Sequence, residues 1–194
     1  MNYFTSDIHF SDIATFINDD RPFKNIKEFD EYIIKIWNKT MTKNDILYVV
    51  GDLLDCDGPN YESWKDALKY VKRIKPQIVL IMGNNEDRIV DNFFNGDFEQ
   101  FRQYLLNAGI KEVHKSLELK TEKLNLYMTH NPVDYKKGFV NLVGHSHRSK
   151  GLWYSFGLSV SCDLNHYRPY TEDDLLFQLK RKEQFFSDPI FKLI

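Results

Sequence analysis

The stretch QIVLIMGNNEDR, residues 77–88, runs an apolar segment into a glycine, two carboxamides and two carboxylates. Taken alone, Gly-Asn after an apolar run is ordinary turn material. Four other runs end in the same narrow vocabulary. NYFTS (2–6) leads into Asp7-Ile8-His9, and ILYVV (46–50) leads into Gly51-Asp52. LNLYM (124–128) leads into Thr129-His130-Asn131, and FVNLV (139–143) into Gly144-His145-Ser146-His147. Each run has the length and β-branched or aromatic content of a strand, so five strands are expected, all handing polar side chains to one end.

Helical periodicity fills the gaps between the early strands. IKEFDEYIIKIWNK puts Ile26, Phe29, Ile33, Ile36 and Trp37 on one stripe, with Asn25 as N-cap and Glu28 three residues on. The segment after Asn60 places Tyr61, Trp64, Leu68 and Val71 on a face and ends in Lys72 and Arg73, charges that suit a helix C-terminus. A third helix is expected from Asp97 through Phe98, Phe101 and Leu105, with Gly109 just past its end. Strand and helix alternate in the first half, and strands crowd the second. The pattern predicts an α/β fold with a largely parallel sheet, whose carboxyl ends are where ligands gather. With 194 residues and no low-complexity linker, one domain over 1–194 is expected.

The 26 basic and 28 acidic residues leave a net charge of −2, so nothing draws the whole molecule toward nucleic acid or anionic lipid. The two cysteines, Cys56 and Cys162, read as free thiols, and a cytoplasmic location is the default. No stretch approaches the roughly 18 apolar residues of a membrane span.

Four of the six histidines fall at the strand ends, together with Asp7 and Asp52. One histidine there would be a turn residue; four with two aspartates point to metal ligation. In Asp7-Ile8-His9 and His145-Ser146-His147 the coordinating groups alternate, so an extended backbone would aim each pair at a common point. With Asn84 at the end of its own strand the set numbers seven, enough ligands for two divalent cations. A shared carboxylate, the natural role for Asp52, would hold them roughly 3.5–4 Å apart around a bridging hydroxide.

The ordered set DxH (Asp7, His9), GDxxD (Gly51, Asp52, Asp55), GN (Gly83, Asn84), a lone His130 and GHxH (Gly144, His145, His147) resembles the calcineurin-like metallophosphoesterase superfamily. Arg21-Pro22-Phe23, Trp37-Asn38 and the late VSCDLNHYRP are similar to a small, single-domain bacterial and phage branch. The resemblance implies a four-layer αββα sandwich of two mixed β-sheets flanked by helices. It also implies that Asp7, His9 and His147 hold one ion, that Asn84, His130 and His145 hold the other, and that Asp52 bridges. The expected activity is metal-dependent phosphoester hydrolysis by a metal-bridging hydroxide.

Imidazole and oxygen donors without thiolate suit Mn²⁺ first, with Fe, Zn²⁺ or Ni²⁺ as further candidates. In much of the superfamily GN is followed by a histidine that protonates the leaving oxygen; here the position is Asn85. A carboxamide donates no proton near neutral pH, though it can hydrogen-bond a phosphate oxygen. Losing the acid matters most for monoesters, whose loose transition state loads charge on the leaving group, so phosphodiesters are favoured. Glu86, Asp87, Arg88, His114 and His166 are alternatives as proton donors or plain surface and turn residues. Asp55 either orients a metal-bound histidine or caps a loop. Arg21 and Arg148 either contact phosphate or lie solvated at the surface. The rival readings are a phosphomonoesterase, a metal-binding scaffold with weak or no turnover, and a nuclease, the last without support from net charge.

Overall fold

The computed structural model describes residues 1–56 and 62–187. In its first half β1 (Asn2–Thr5) is followed by α1 (Ile13–Asn18), α2 (Ile26–Thr40) and β2 (Ile46–Val50). Then come α3 (Ser63–Val71), β3 (Gln77–Ile81), α4 (Asn84–Phe93), α5 (Phe98–Asn107) and β4 (Glu112–His114). The second half is strand-rich: β5 (Leu117–Lys120), β6 (Asn125–Met128), β7 (Val140–Val143), β8 (Trp153–Tyr154), β9 (Gly157–Ser159) and β10 (Tyr170–Thr171) precede α6 (Glu172–Ser187). The expected α/β class and pair of mixed sheets are what the chain forms.

One sheet has the order β10-β1-β2-β3-β4, parallel except for β10. The other runs β5-β6-β7-β9-β8, with parallel β6, β7 and β9 flanked by antiparallel β5 and β8. Side-chain alternation divides the interior in two. Phe4, Tyr48, Val79 and Ile81 point toward the second sheet, where they meet Leu126, Leu142 and Leu158. Their neighbours Tyr3, Leu47, Val49 and Leu80 face the other way, under Trp37, Trp64 and Phe101 of the helices. A strand buried on both faces reads as a continuous apolar run, which is why ILYVV and QIVLI were legible. Trp37 is fully buried, its indole N–H donating to the Tyr167 carbonyl at 3.0 Å.

The caps follow the sequence. Asn25 accepts the Glu28 N–H at 2.9 Å while Glu28 reaches back to the Lys24 N–H, and Asp97 accepts from Gln100. Gly109, at φ 104°, follows α5 as expected. On α3 the expected stripe of Trp64, Leu68 and Val71 is buried, whereas Asn60 and Tyr61, like the tail DPIFKLI, lie outside the described residues. Helix α4 is a departure: its polar opening NNEDR reads as a turn, but Ile89 and Val90 dock its inner face into the core. Among the described residues no helix is long and apolar enough to cross a membrane; Cys56 and Cys162 are both buried and are not joined by a disulfide.

Candidate metal centre

The ends of β1, β2, β3, β6 and β7 meet at one place. The loops after β1 and β2 are stitched together, Asp7 N–H donating to Gly51 O at 3.1 Å and His9 N–H to Asp52 O at 3.0 Å. Gly144 N–H donates to His130 O at 3.0 Å, joining the loops after β6 and β7. The two halves are linked by the His145 N–H, which donates to Asp7 Oδ1 at 2.8 Å.

Tight glycines let the loops converge. A Cβ on Gly51 would stand 2.2 Å from His130 Nδ1, and one on Gly83 would stand 2.2 Å from Asp52 Oδ1. The expected extended geometry of the paired ligands is overturned. Asp7, His9, Asp52, His145 and His147 all have left-handed backbone, with φ of 59°, 54°, 53°, 71° and 44°. Non-glycine residues visit that region at a cost and cluster there at functional sites. The result also separates His145 from His147, which therefore do not share a target.

His147 joins Asp7 and His9, with one donor atom from each lying within 4.8 Å of the others; Asp7, Asp52 and His130 form a second such set. Asp52 stands between them, its Oδ2 3.5 Å from His9 Nε2 and 3.3 Å from His130 Nε2. Asn84 Oδ1 lies 3.1 Å from His130 Nε2 and 2.8 Å from His145 Nδ1. His130 Nδ1 donates to the Val50 carbonyl at 2.9 Å, which fixes its tautomer and leaves Nε2 for a ligand. All seven predicted ligands are thus gathered.

The arrangement fits a pair of cations. Among the described residues His9 Nε2 is buried without a hydrogen-bond partner, 3.5 Å from Asp52 Oδ2, an unused donor atom beside a carboxylate, as a metal ligand would be. All the converging donors are oxygen or imidazole nitrogen. Burial keeps the Cys162 thiol protonated, its pKa well above the usual range, and it donates to Asp7 O at 3.3 Å. Electrostatics agree. Despite burial, which disfavours both charges, the ion pair with Asp52 drives His130 up to about 9 and holds the Asp52 carboxyl below its ordinary range. His147 likewise resists desolvation, and Asp163 and Asp19 take it up to about 10.

Asn85 is buried, its N–H donating to Asp52 Oδ1 at 3.0 Å and its side-chain amide to Oδ2 at 3.1 Å. Asp55 Oδ1 lies 4.0 Å from His9 Nδ1, and the Asp55 backbone carbonyl accepts the Ser63 hydroxyl at the start of α3. Arg148 lies on the rim of a cleft shared with His145 and His147, its side chain 46% exposed and bonded to the Tyr167 hydroxyl. Arg21 is neither a phosphate contact nor a solvated residue. Its side chain is wholly buried, donating to the carbonyls of Asp7 and Ile8 and to Asp163, so no hydrogen of it faces a ligand from solvent.

Sequence reading missed Glu86. Instead of a surface or turn residue it is fully buried, accepting N–H bonds from Asp52, Leu53, Leu54 and Gly83 at 2.9–3.0 Å. Burial and the Asp52 charge push its carboxyl up to about 7, against the pull of those four donors. The signal was present: Glu at N3 reaching back to the Gly83 N–H is half of a capping box. Asp12, in the polar loop that follows His9, lies 3.4 Å from His9 Nδ1 and also caps α1 by accepting the Thr15 N–H. Beside the centre a cleft of about 250 Å³ is lined by Asn84, Asp87, Lys115, His130 and His145.

The chain matches calcineurin-like phosphoesterase over residues 3–191. It belongs to that family, and is a metal-dependent phosphoesterase by class. It is similar to an uncharacterized protein, MJ1445, of Methanocaldococcus jannaschii, 28% identical over 180 residues that cover 88% of this chain and 86% of that one. The solved structure of a protein of unknown function, AQ665, from Aquifex aeolicus shares the fold, with TM-score 0.59, 19% identity and coverage of 92% and 98%. A structure described as a novel archaeal phosphodiesterase aligns at TM-score 0.46 and 13% identity, covering 82% of this chain and 81% of that one.

Proposed function

We propose that the protein is a dinuclear metal-dependent phosphodiesterase acting on a small phosphoester in the cytoplasm as a single domain. The observation that carries the reading is the position of Asp52, with one carboxylate oxygen within 3.5 Å of the metal-facing nitrogens of both His9 and His130. Asp7, His9 and His147 would hold one ion, Asn84, His130 and His145 the other, and Asp52 both. Mn²⁺ is the first candidate, ahead of Fe, Zn²⁺ or Ni²⁺, because the donors are imidazole and oxygen. When bound, such a pair supplies a water acidic enough to attack phosphorus at neutral pH and neutralises the phosphoryl oxygens.

The chain's own residues shape the rest. Asn84 contributes a neutral oxygen, so the ion on its side keeps more positive charge for the phosphoryl group. Asn85 steadies Asp52 and carries no proton to give. Of the five stand-ins weighed for the missing acid, Glu86 is spent on backbone N–H groups, whereas Asp87 lines the cleft and burial raises its carboxyl pKa. A diester asks less of such an acid than a monoester does.

The test is metal-stripped protein reloaded with Mn²⁺ and given bis(p-nitrophenyl) phosphate beside p-nitrophenyl phosphate. Diester turnover above monoester turnover, abolished by chelator, supports the reading, and N85H should raise monoester turnover roughly tenfold or more. Inert protein holding two ions would instead select a metal-binding scaffold.

A further inference from the structure

We infer that Arg21 and Asp163 are a positioning pair that governs one of the two ions, by turning His147 and fastening Asp7 at the same time; this rests on the dinuclear reading. Nothing about the chemistry of hydrolysis demands a buried arginine 14 residues after Asp7. Yet Arg21 is stripped of water, and removing a guanidinium from solvent is costly unless every direction of the fork is used.

The fork is used. Nη1 donates to Ile8 O at 2.7 Å and Nη2 to Asp7 O at 2.8 Å, gripping the chain between Asp7 and His9. Nε and Nη2 take the two oxygens of Asp163 at 3.2 and 3.1 Å, while the guanidinium lies 4.5 Å above the Phe29 ring. Asp163 has no exposed side-chain surface either, and its Oδ2 also accepts from His147 Nδ1 at 3.3 Å. Asp19 Oδ2 also stands behind the ring, 2.7 Å from that nitrogen and 3.6 Å from Arg21 Nη2, so the Arg21–Asp163 pair shares the task with a second carboxylate.

The imidazole is thereby oriented. Nδ1 and its proton face the carboxylates, and Nε2 faces Asp7, 3.9 Å from Oδ1. A carboxylate behind a histidine selects the ring nitrogen offered to a metal and makes it a better donor. Planar, two-point contact of this kind belongs to arginine, not lysine. Asn84, His130 and His145 are held differently, by one another and by Val50. The pair therefore acts more directly on the Asp7–His9–His147 ion, whose His147 it orients, than on the other, which it reaches only through Asp7.

Zn²⁺ titration of the metal-stripped full-length protein by calorimetry, with R21K and D163N beside wild type, tests this. Wild type is expected to take up two ions. Both variants should keep one within about threefold of wild type and bind the second 10- to 100-fold more weakly. A long-range ¹H–¹⁵N correlation spectrum of Zn²⁺-loaded wild type should show His147 protonated at Nδ1 and ligated through Nε2. This reading stands even if a variant fails to fold. Ligation through Nδ1, equal weakening of both ions, or weakening of neither would overturn the inference while leaving the dinuclear site in place. Wild type that binds no pair of ions would instead remove the reading beneath it.

Discussion

Glu86 shows how much of the centre depends on a residue that touches no ligand atom. Its carboxylate holds the N–H groups of Asp52, Leu53 and Leu54 together with that of Gly83, so the loop after β2 and the start of α4 are one unit. Glutamine in its place turns an amide donor toward backbone donors at a position fully buried from solvent. E86Q is expected to lose roughly 3 kcal/mol of stability and to weaken metal binding through Asp52, measured by urea unfolding and by metal titration. The ligands themselves were legible because few roles other than ligation gather four histidines at strand ends. Glu86, Asp12 and Asp163 were not, since each also has a plain local function in a cap or turn, and only the tertiary approach of distant loops gives it a second one. Arg21 failed for the opposite reason: an arginine in a polar loop looks solvated until the loop folds inward.

Among the elements, α2 reaches the site through Asp30, whose carboxylate accepts the Ser11 N–H at 3.2 and 3.4 Å. Ser11 has φ 65° and follows His9 by two residues, so Asp30 braces the turn that carries a ligand. Burial raises the Asp30 carboxyl from 3.8 to about 7. The folded state thus binds this proton more tightly than the unfolded chain does. The stability tied to it is full below pH 3.8 and is lost as pH climbs toward about 7. D30N keeps an acceptor oxygen without the charge. Relative to wild type it should be neutral at the acidic end and more stable by about 2–4 kcal/mol near pH 8, read from metal-free unfolding curves across pH. All five strands expected from the sequence formed within a residue of their limits; for β2 and β3 the reason is burial on both faces, which writes a continuous apolar run. Elements with a misleading or minimal signal escaped: α4 opens on NNEDR before its apolar face begins at Ile89, and β8 and β10 are two residues each. The two short strands exist because β9 and β1 supply their hydrogen bonds, and α4 because its inner face is buried.

At the level of the whole molecule, the candidate ligands come from loops of both sheets, Asp7, Asp52 and Asn84 from one and His130, His145 and His147 from the other. Bound cations would therefore tie the two sheets together as well as act on substrate. Saturation with Zn²⁺ or Mn²⁺ at about 100 times the dissociation constant should add about 2.7 kcal/mol per ion and raise the melting temperature by roughly 5–10 °C for each. Chelator should reverse the rise, and fluorescence and circular dichroism should report one transition if residues 1–194 are a single domain. The two-sheet plan was legible from the alternation of the first half and the crowding of the second, but the convergence of the loops depends on backbone twists that no periodicity records. Those twists leave a mark on how the lineage can change. Left-handed conformation at Asp7, His9, Asp52, His145 and His147 is tolerated for the sake of what the side chains hold. A descendant freed from hydrolysis would find glycine the easiest replacement there, and H145G should melt slightly higher without metal while losing the gain from the ion that His145 would hold. Degenerate cousins of this enzyme would be recognisable by glycines standing where imidazoles once stood.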